Sequence, residues 1–336
     1  MIRGFSAFIR GEIFSSLIER FRRSARLISM NILQPKPTRW AVILAGGDGT
    51  RLRSFTRSIT GDDRPKQFCL VIGGETLLDQ TRRRVARVVS PDQTMIVLTK
   101  SHEAFYGPLA ADLSSRLLAI QPQNKGTAPA ILLPLLRIAS QAPEATVAIF
   151  PSDHHFADDE RFMSHVEAAI DAAQRNPEVV TLMGITPEAP EVEFGWIEPH
   201  AGTFGGLSRV RRFWEKPTAS VARKLMDRGC LWNSFVMVGR VDAFLNMTKQ
   251  ALPDLYRLFD AVVPVFGTRD EERNLRVLYH LIADTNFSHE VLSVRPEDLT
   301  VMRVGKVGWS DLGEPSRVLA AMSRMGLAAQ FATNAS

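Results

Sequence analysis

The segment Ala45-Gly46-Gly47-Asp48-Gly49-Thr50-Arg51-Leu52 follows directly on an apolar run that begins at Trp40, and its residue types suit one chemistry. Glycines let backbone N–H groups come close to a ligand. Amides in such a turn cradle an anion, and a guanidinium at Arg51 adds a forked donor for phosphate oxygens. The segment lacks both the Gly-Lys-Ser/Thr ending of a P-loop and the Gly-x-Gly-x-x-Gly of dinucleotide-binding proteins. Taken alone it is as readily a structural turn as a phosphate site. Lys66, fifteen residues after Arg51 in Arg64-Pro65-Lys66-Gln67-Phe68, offers a second cation. Asp153, in Pro151-Ser152-Asp153-His154, closes another apolar run, where a hard cation bound to phosphates finds a ligand; a turn or capping aspartate looks the same. Asp311 stands in a polar turn after the apolar run Leu299 to Val304 and alone reads as a turn residue. Glu215-Lys216-Pro217 is ordinarily a solvated surface pair. His154 and His155 are adjacent, so in extended chain they point to opposite faces and receive no catalytic assignment.

These residues need a scaffold, and the chain supplies alternating strands and helices. Trp40 to Ala45, Thr94 to Thr99, Leu117 to Gln121, Thr146 to Phe150 and Val179 to Gly184 are short runs rich in Val and Ile. Between most of them, Thr76 to Val89, Ala128 to Ser140 and Glu160 to Gln174 carry helical spacing. The pattern predicts an α/β fold with a mainly parallel sheet covered on both faces, whose ligands collect beyond the carboxyl ends of the strands. After about residue 190 the texture shifts to shorter strands (Phe194 to Glu198, Arg209 to Glu215, Asn233 to Val238), with helices at Ala219 to Arg228, Val241 to Lys249 and Arg269 to Ile282. One large domain with a sub-lobe closing on its first half is expected.

Composition narrows the function classes. The chain has 336 residues, 45% hydrophobic and 23% charged, which suits a globular protein with a sizeable core. Nowhere do about 18 uncharged apolar residues run together, so no spanning helix is expected. The net charge of +5 resides in residues 1–38, which hold seven Lys/Arg against two Glu, while the remainder is balanced. A balanced body argues against nucleic acid as a partner. Phe5, Ile9, Ile13, Leu17 and Phe21 at fourfold spacing, among arginines, form a basic amphipathic pattern. It suits an appendage or a start upstream of Met30, or else weak contact of residues 1–30 with an anionic membrane surface or a partner. Cys69 and Cys230 are far apart, without Cys/His spacing for zinc, so a reducing cytoplasm is expected. The expected organisation is 1–38 extension, 39–325 catalytic domain and 326–336 tail; a homo-oligomer stays open.

The two cation-bearing motifs resemble those of the nucleotide-sugar pyrophosphorylases, and within them the mannose-1-phosphate guanylyltransferases. Gly46 through Leu52, Thr56-Arg57 and Pro65-Lys66-Gln67-Phe68 carry the first part of the resemblance. Gly126-Thr127-Ala128-Pro129-Ala130, Pro151-Ser152-Asp153-His154, Phe194-Gly195-Trp196-Ile197-Glu198-Pro199, Phe213-Trp214-Glu215-Lys216-Pro217, Trp232-Asn233-Ser234 and Trp309-Ser310-Asp311-Leu312-Gly313 follow in the family's order, to about residue 315. The resemblance implies the nucleotide-diphospho-sugar transferase fold, a Rossmann-like sheet flanked by helices with a small sugar-binding sub-lobe. It implies attack by mannose 1-phosphate on the α-phosphate of GTP, giving GDP-mannose and pyrophosphate. It places Arg51, Lys66 and Lys216 as catalytic cations, and Ala45, Gly46, Gly47, Asp48, Gly49, Thr50, Gln123, Gly126 and Thr127 around the nucleotide. Gly195, Glu215 and Asn233 would hold the sugar, and Asp153 and Asp311 a Mg²⁺ ion.

The chain departs from the family pattern at several positions. Lys125-Gly126 stands where the family usually has Arg-Asn, Phe235 where it has Gly, and Phe287-Ser288-His289 where it has Ile-Asp-Tyr, so one carboxylate has no counterpart. Neither an isomerase domain nor a long β-helix is expected in the 25 residues after Asp311. Rival expectations are another NTP or sugar 1-phosphate, or a catalytically silent paralogue that binds nucleotide sugars. A nicotinamide oxidoreductase lacks its fingerprint.

Overall fold

A computed structural model describes residues 38–325 apart from Phe204. The amphipathic pattern of residues 1–38 and the expected tail 326–336 therefore lie outside the described residues, save Thr38. Strands are β1 (Arg39–Leu44), β2 (Thr94–Thr99), β3 (Leu118–Gln121), β4 (Thr146–Pro151), β5 (Val180–Ile185), β6 (Trp196–Pro199), β7 (Leu207–Trp214), β8 (Leu231–Arg240) and β9 (Leu299–Val304). Helices are α1 (Arg53–Thr60), α2 (Leu77–Val85), α3 (Glu103–Ala111), α4 (Thr127–Gln141), α5 (Asp159–Arg175), α6 (Ala219–Asp227), α7 (Val241–Ala251), α8 (Pro253–Asp260), α9 (Glu271–Leu281) and α10 (Pro315–Arg324). The α3 helix contains Gly107-Pro108, the residue types that hide a helix from sequence reading. Among the described residues no helix is long and apolar enough to cross a membrane.

The nine strands form one mixed sheet in the order β3-β2-β1-β4-β8-β5-β9-β7-β6. The first part, β3-β2-β1-β4, is parallel throughout, because each strand is followed by a helix that crosses back. The expectation of a mainly parallel, Rossmann-like sheet needs correction beyond that point. β8 runs antiparallel to both β4 and β5, and β6 and β7 form an antiparallel pair. Only β5 with β9 restores a parallel contact in the second half. Since β6 also pairs with β8, strands β8, β5, β9, β7 and β6 close a circuit of pairings.

Alternation along the strands feeds two cores. In β1, Trp40 and Val42 pack on the side of α4, while Ala41 and Ile43 pack on the side of α2 and α5. A third cluster bears directly on the site: Leu52, Cys69, Val71 and Ile72 meet Leu312 and the α10 residues Val318, Ala321 and Met322. It ties the turn after β1 to the turn after β9.

Candidate active site

The glycine-rich turn is held by side chains reaching into its backbone. The Ala45 N–H donates to the Val97 carbonyl at 2.8 Å. The buried Gln67 carboxamide donates to the Ala45 carbonyl at 3.0 Å and the Gly47 carbonyl at 2.8 Å. Thr99 Oγ1 donates to the Gly46 carbonyl at 2.9 Å. A Cβ at Gly46 would stand 2.7 Å from Gln121 Nε2 and 2.8 Å from Thr99 Oγ1, so a side chain here would displace the groups that hold the turn. Gly126, with φ +84°, likewise presses against the Thr285 carbonyl, where a side chain would collide. Asp48 faces His102 Nε2 at 3.0 Å and accepts from Asn124 Nδ2 at 2.7 Å, clamping the turn rather than entering the cleft.

Two cations converge from separate strands. Arg51 Nη1 lies 3.5 Å from Glu193 Oε2, and Lys216 Nζ lies 3.8 Å from the same oxygen. Both are about half exposed, so neither pair is strong and an incoming anion can compete for the cations. Lys66 is different: its ammonium is buried, donates to the Asp311 carbonyl at 2.8 Å and the Leu312 carbonyl at 3.1 Å, and lies 3.1 Å from Asp153 Oδ2. It thus joins the two aspartate-bearing turns. Burial pushes the Asp153 carboxyl up, but the Lys66 ammonium together with His154 and hydrogen bonds holds the group below the usual carboxylate range. Both Asp311 oxygens accept from Arg317 Nη1, at 2.9 and 3.1 Å, and Oδ1 also accepts from the Gly313 N–H at 3.0 Å. Arg317 in turn donates to Glu191 at 2.9 Å and lies over the Phe194 ring.

Opposite, the Asn233 N–H donates to the Gly195 carbonyl at 2.8 Å, and the Glu215 carboxylate lies against Gly195. Burial raises the Glu215 carboxyl despite Lys216 and His289 nearby. Burial also lowers both His154 and His155, leaving neutral imidazoles at neutral pH. Trp196, Trp232 and Trp309 are buried and pack edge to face or tilted with one another and with Phe194, which is core packing.

A single cleft of about 440 Å³ is lined by Gly46, Gly47, Gly49 and Arg51 from the first turn, by Gly126 and Thr127 at the start of α4, and by Asp153 and Asp311. Gly195, Glu215, Lys216 and Asn233 of the expected set also line it. Thr50 and Lys66 line a smaller adjoining cavity of about 190 Å³, which shares Gly49, Arg51 and Asp153 with the cleft. Ala45 lies buried under the turn, while Gln123 is exposed and absent from the lining. A larger hollow of about 610 Å³, lined by Arg175, His200 and Arg209 among others, holds none of the motif residues. Sequence reasoning missed Glu193 and Arg317, whose types and spacing carry no signal. Gln67 lies within the Pro65-Lys66-Gln67-Phe68 motif, but residue type alone gives no sign that its carboxamide holds the turn.

Residues 40–326 match the family model described as nucleotidyl transferase. The chain belongs to the nucleotidyl transferase family. The chain is 31% identical over 286 residues to the alginate biosynthesis protein AlgA of Pseudomonas aeruginosa, covering 82% of this chain and 57% of that protein. It is 28% identical over 287 residues to the mannose-1-phosphate guanylyltransferase of Escherichia coli K12, covering 82% and 58%. The chain spans a little over half the length of these curated relatives. Its fold is similar to the crystal structure titled mannose-1-phosphate geranyltransferase from Thermus thermophilus, with TM-score 0.74, 26% identity, and coverage of 85% of this chain and 79% of that one. The chain carries its glycine-rich turn at the carboxyl end of β1 beside β4, where ligands of α/β sheets collect.

Proposed function

We propose that this chain transfers a guanylyl group from GTP to mannose 1-phosphate, releasing pyrophosphate and GDP-mannose. The observation that carries the reading is the convergence of Arg51 and Lys216 on one point of a cleft that also holds Asp153, Asp311, Glu215 and Asn233. Two cations arriving from different strands, with the backbone of Gly46 and Gly47 lining the same cleft, fit a polyphosphate meeting a phosphate monoester.

The acceptor needs little activation. The second pKa of a phosphate monoester is about 6, so its oxygen is already an anionic nucleophile near neutral pH. Neutral His154 is accordingly not required as a base. The acceptor oxygen attacks the α-phosphorus, the bond to the bridging oxygen breaks, and pyrophosphate departs. Arg51 and Lys216 neutralise charge on the approaching groups, and alignment supplies much of the rate. Lys66, facing the adjoining small cavity, holds the Asp153 and Asp311 turns at fixed spacing and places a charge beside the leaving group. Glu215 and the Asn233 amide read sugar hydroxyls. The donor set suits Mg²⁺: oxygen ligands only, two carboxylates in one cleft, one of them held ionised by Lys66. When bound there, Mg²⁺ would supply further neutralisation of the phosphates.

Incubating the protein with each NTP, Mg²⁺ and a panel of sugar 1-phosphates, with pyrophosphate as the readout, tests the reading. GTP with mannose 1-phosphate should give the highest kcat/KM; another preferred pair moves the specificity, and no release with any pair rejects the activity. One observation favours a silent nucleotide-sugar-binding protein: both Asp311 oxygens are taken by Arg317. Under that reading GDP-mannose raises the melting temperature while no pair turns over.

A further inference from the structure

Among the described residues, three other than glycine have φ in the left-handed region: Lys216 at +45°, Phe235 at +59° and Leu312 at +46°. Lys216 and Phe235 line the cleft, and Leu312 follows Asp311. A Cβ in this region crowds the following carbonyl, so glycine is the inexpensive occupant. Strain retained beside a site marks a side chain with a use there. Phe235 carries no charge and has no part in the chemistry above.

Its place in β8 is built by the sheet. One edge of β8 pairs with β5, but the other pairs with β6 through Leu231 and Trp232, and with β4 through Met237 to Arg240. Between these partners Ser234, Phe235 and Val236 stand opposite Met183 alone, which makes a bulge. Three hydrogen bonds fix it. Ser234 Oγ donates to the Met183 carbonyl at 2.6 Å, the Val236 N–H donates to Ser234 Oγ at 3.2 Å, and the Phe235 N–H donates to Asn233 Oδ1 at 3.1 Å. Bulges re-aim a side chain where a strand must present it. Here the strand changes partners at the cleft, and Phe235 joins Glu215, Asn233 and Ser288 in the lining while packing partly on the α4-side core. It adds an aromatic residue beside these polar ones in the lining.

We propose that Phe235 determines acceptor specificity: held in the cleft by the bulge, its ring accepts the C–H face of an unsubstituted hexose 1-phosphate and excludes one bearing an N-acyl group. The ring fills more room than an acetamido group needs, and it offers that amide no hydrogen-bond partner. This inference rests on the nucleotidyl-transfer reading.

The test compares kcat/KM for mannose, glucose and N-acetylglucosamine 1-phosphates in wild type, Phe235→Gly, Phe235→Ala and Phe235→Tyr, with a thermal melt of each. Wild type and Phe235→Tyr should favour the unsubstituted acceptors. Phe235→Gly and Phe235→Ala should each raise the N-acetylated acceptor's relative kcat/KM by about tenfold or more, mainly through KM, the scale a pocket wall commands. Phe235→Gly should melt above Phe235→Ala, because both lose the ring but only glycine suits the backbone. An active wild type whose selectivity stays within about twofold in both small-residue variants, or already favours the N-acetylated acceptor, overturns the proposal. Ala melting at or above Gly removes the bulge as the aiming device. A wild type inactive with every pair instead rejects the transfer reading, and this inference with it.

Discussion

Lys66 is the residue on which the geometry of the cleft turns, because one ammonium joins the Asp153 carboxylate to the Asp311 and Leu312 carbonyls. Lys66→Ala should lower turnover by at least about a hundredfold, the scale of a lost charge stabiliser at a transferring group. Asp153→Ala should do likewise, and steady-state pyrophosphate release with near-normal kcat in either variant removes that residue from the mechanism. Glu215 permits a test that needs no substrate. Its carboxyl is raised above the ordinary 4.5 by burial, so the folded state binds this proton more tightly than the unfolded state does. The native protein therefore loses stability from this group as pH climbs from 4.5 through the folded value. Glu215→Gln cannot titrate, so paired thermal melts should show its advantage over wild type absent in acid and growing with pH. A difference that is flat with pH would mean that Glu215 is solvated like a surface carboxylate.

At the scale of elements, the site is assembled by turns that follow strands. β1 delivers the glycine turn, β4 delivers Asp153, β7 delivers Glu215 and Lys216, and β9 leads to Asp311. What holds the first and last of these together is the small apolar cluster of Leu52, Val71, Ile72, Leu312 and the inner face of α10. Leu52 is 2% exposed and adjoins Arg51. Leu52→Ala should cost about 2–5 kcal/mol by urea denaturation, the range for truncating a buried leucine. It should also lower kcat, since the turn that carries Arg51 loses its anchor. A variant with the full stability loss and unchanged kcat would show that Gln67 and Thr99 suffice to hold the turn.

At the scale of the whole molecule, the nine strands of the described residues pair into one continuous sheet. The β6–β8 contact closes the second half onto the strand that also pairs with β4. Among the described residues, those from Arg39 to Met325 belong to one compact unit. Calorimetry of the full chain should therefore give one cooperative transition for this unit, shifted upward together by a saturating nucleotide. Two resolved transitions, only one of them moved by nucleotide, would instead reveal a lobe that unfolds by itself.

Much of this architecture was legible along the chain because it depends on local pattern. Runs of Val and Ile between helical spacings located the strands to within a residue or two, and glycine, arginine and aspartate types marked the turns where a phosphate site could form. The direction of β8 was not legible, because an apolar run such as Leu231 to Arg240 carries no mark of parallel or antiparallel pairing. Nor was the grip of Arg317 on Asp311, or the shared carboxylate of Glu193 beneath Arg51 and Lys216, since residues far apart in sequence meet only when the sheet closes. Residue type and spacing thus determined which groups could do chemistry and which turns carry them. Which groups neutralise one another, and that Phe235 sits in a bulge beside the cleft, was decided by long-range pairing, where burial and hydrogen-bond geometry outweigh local preference.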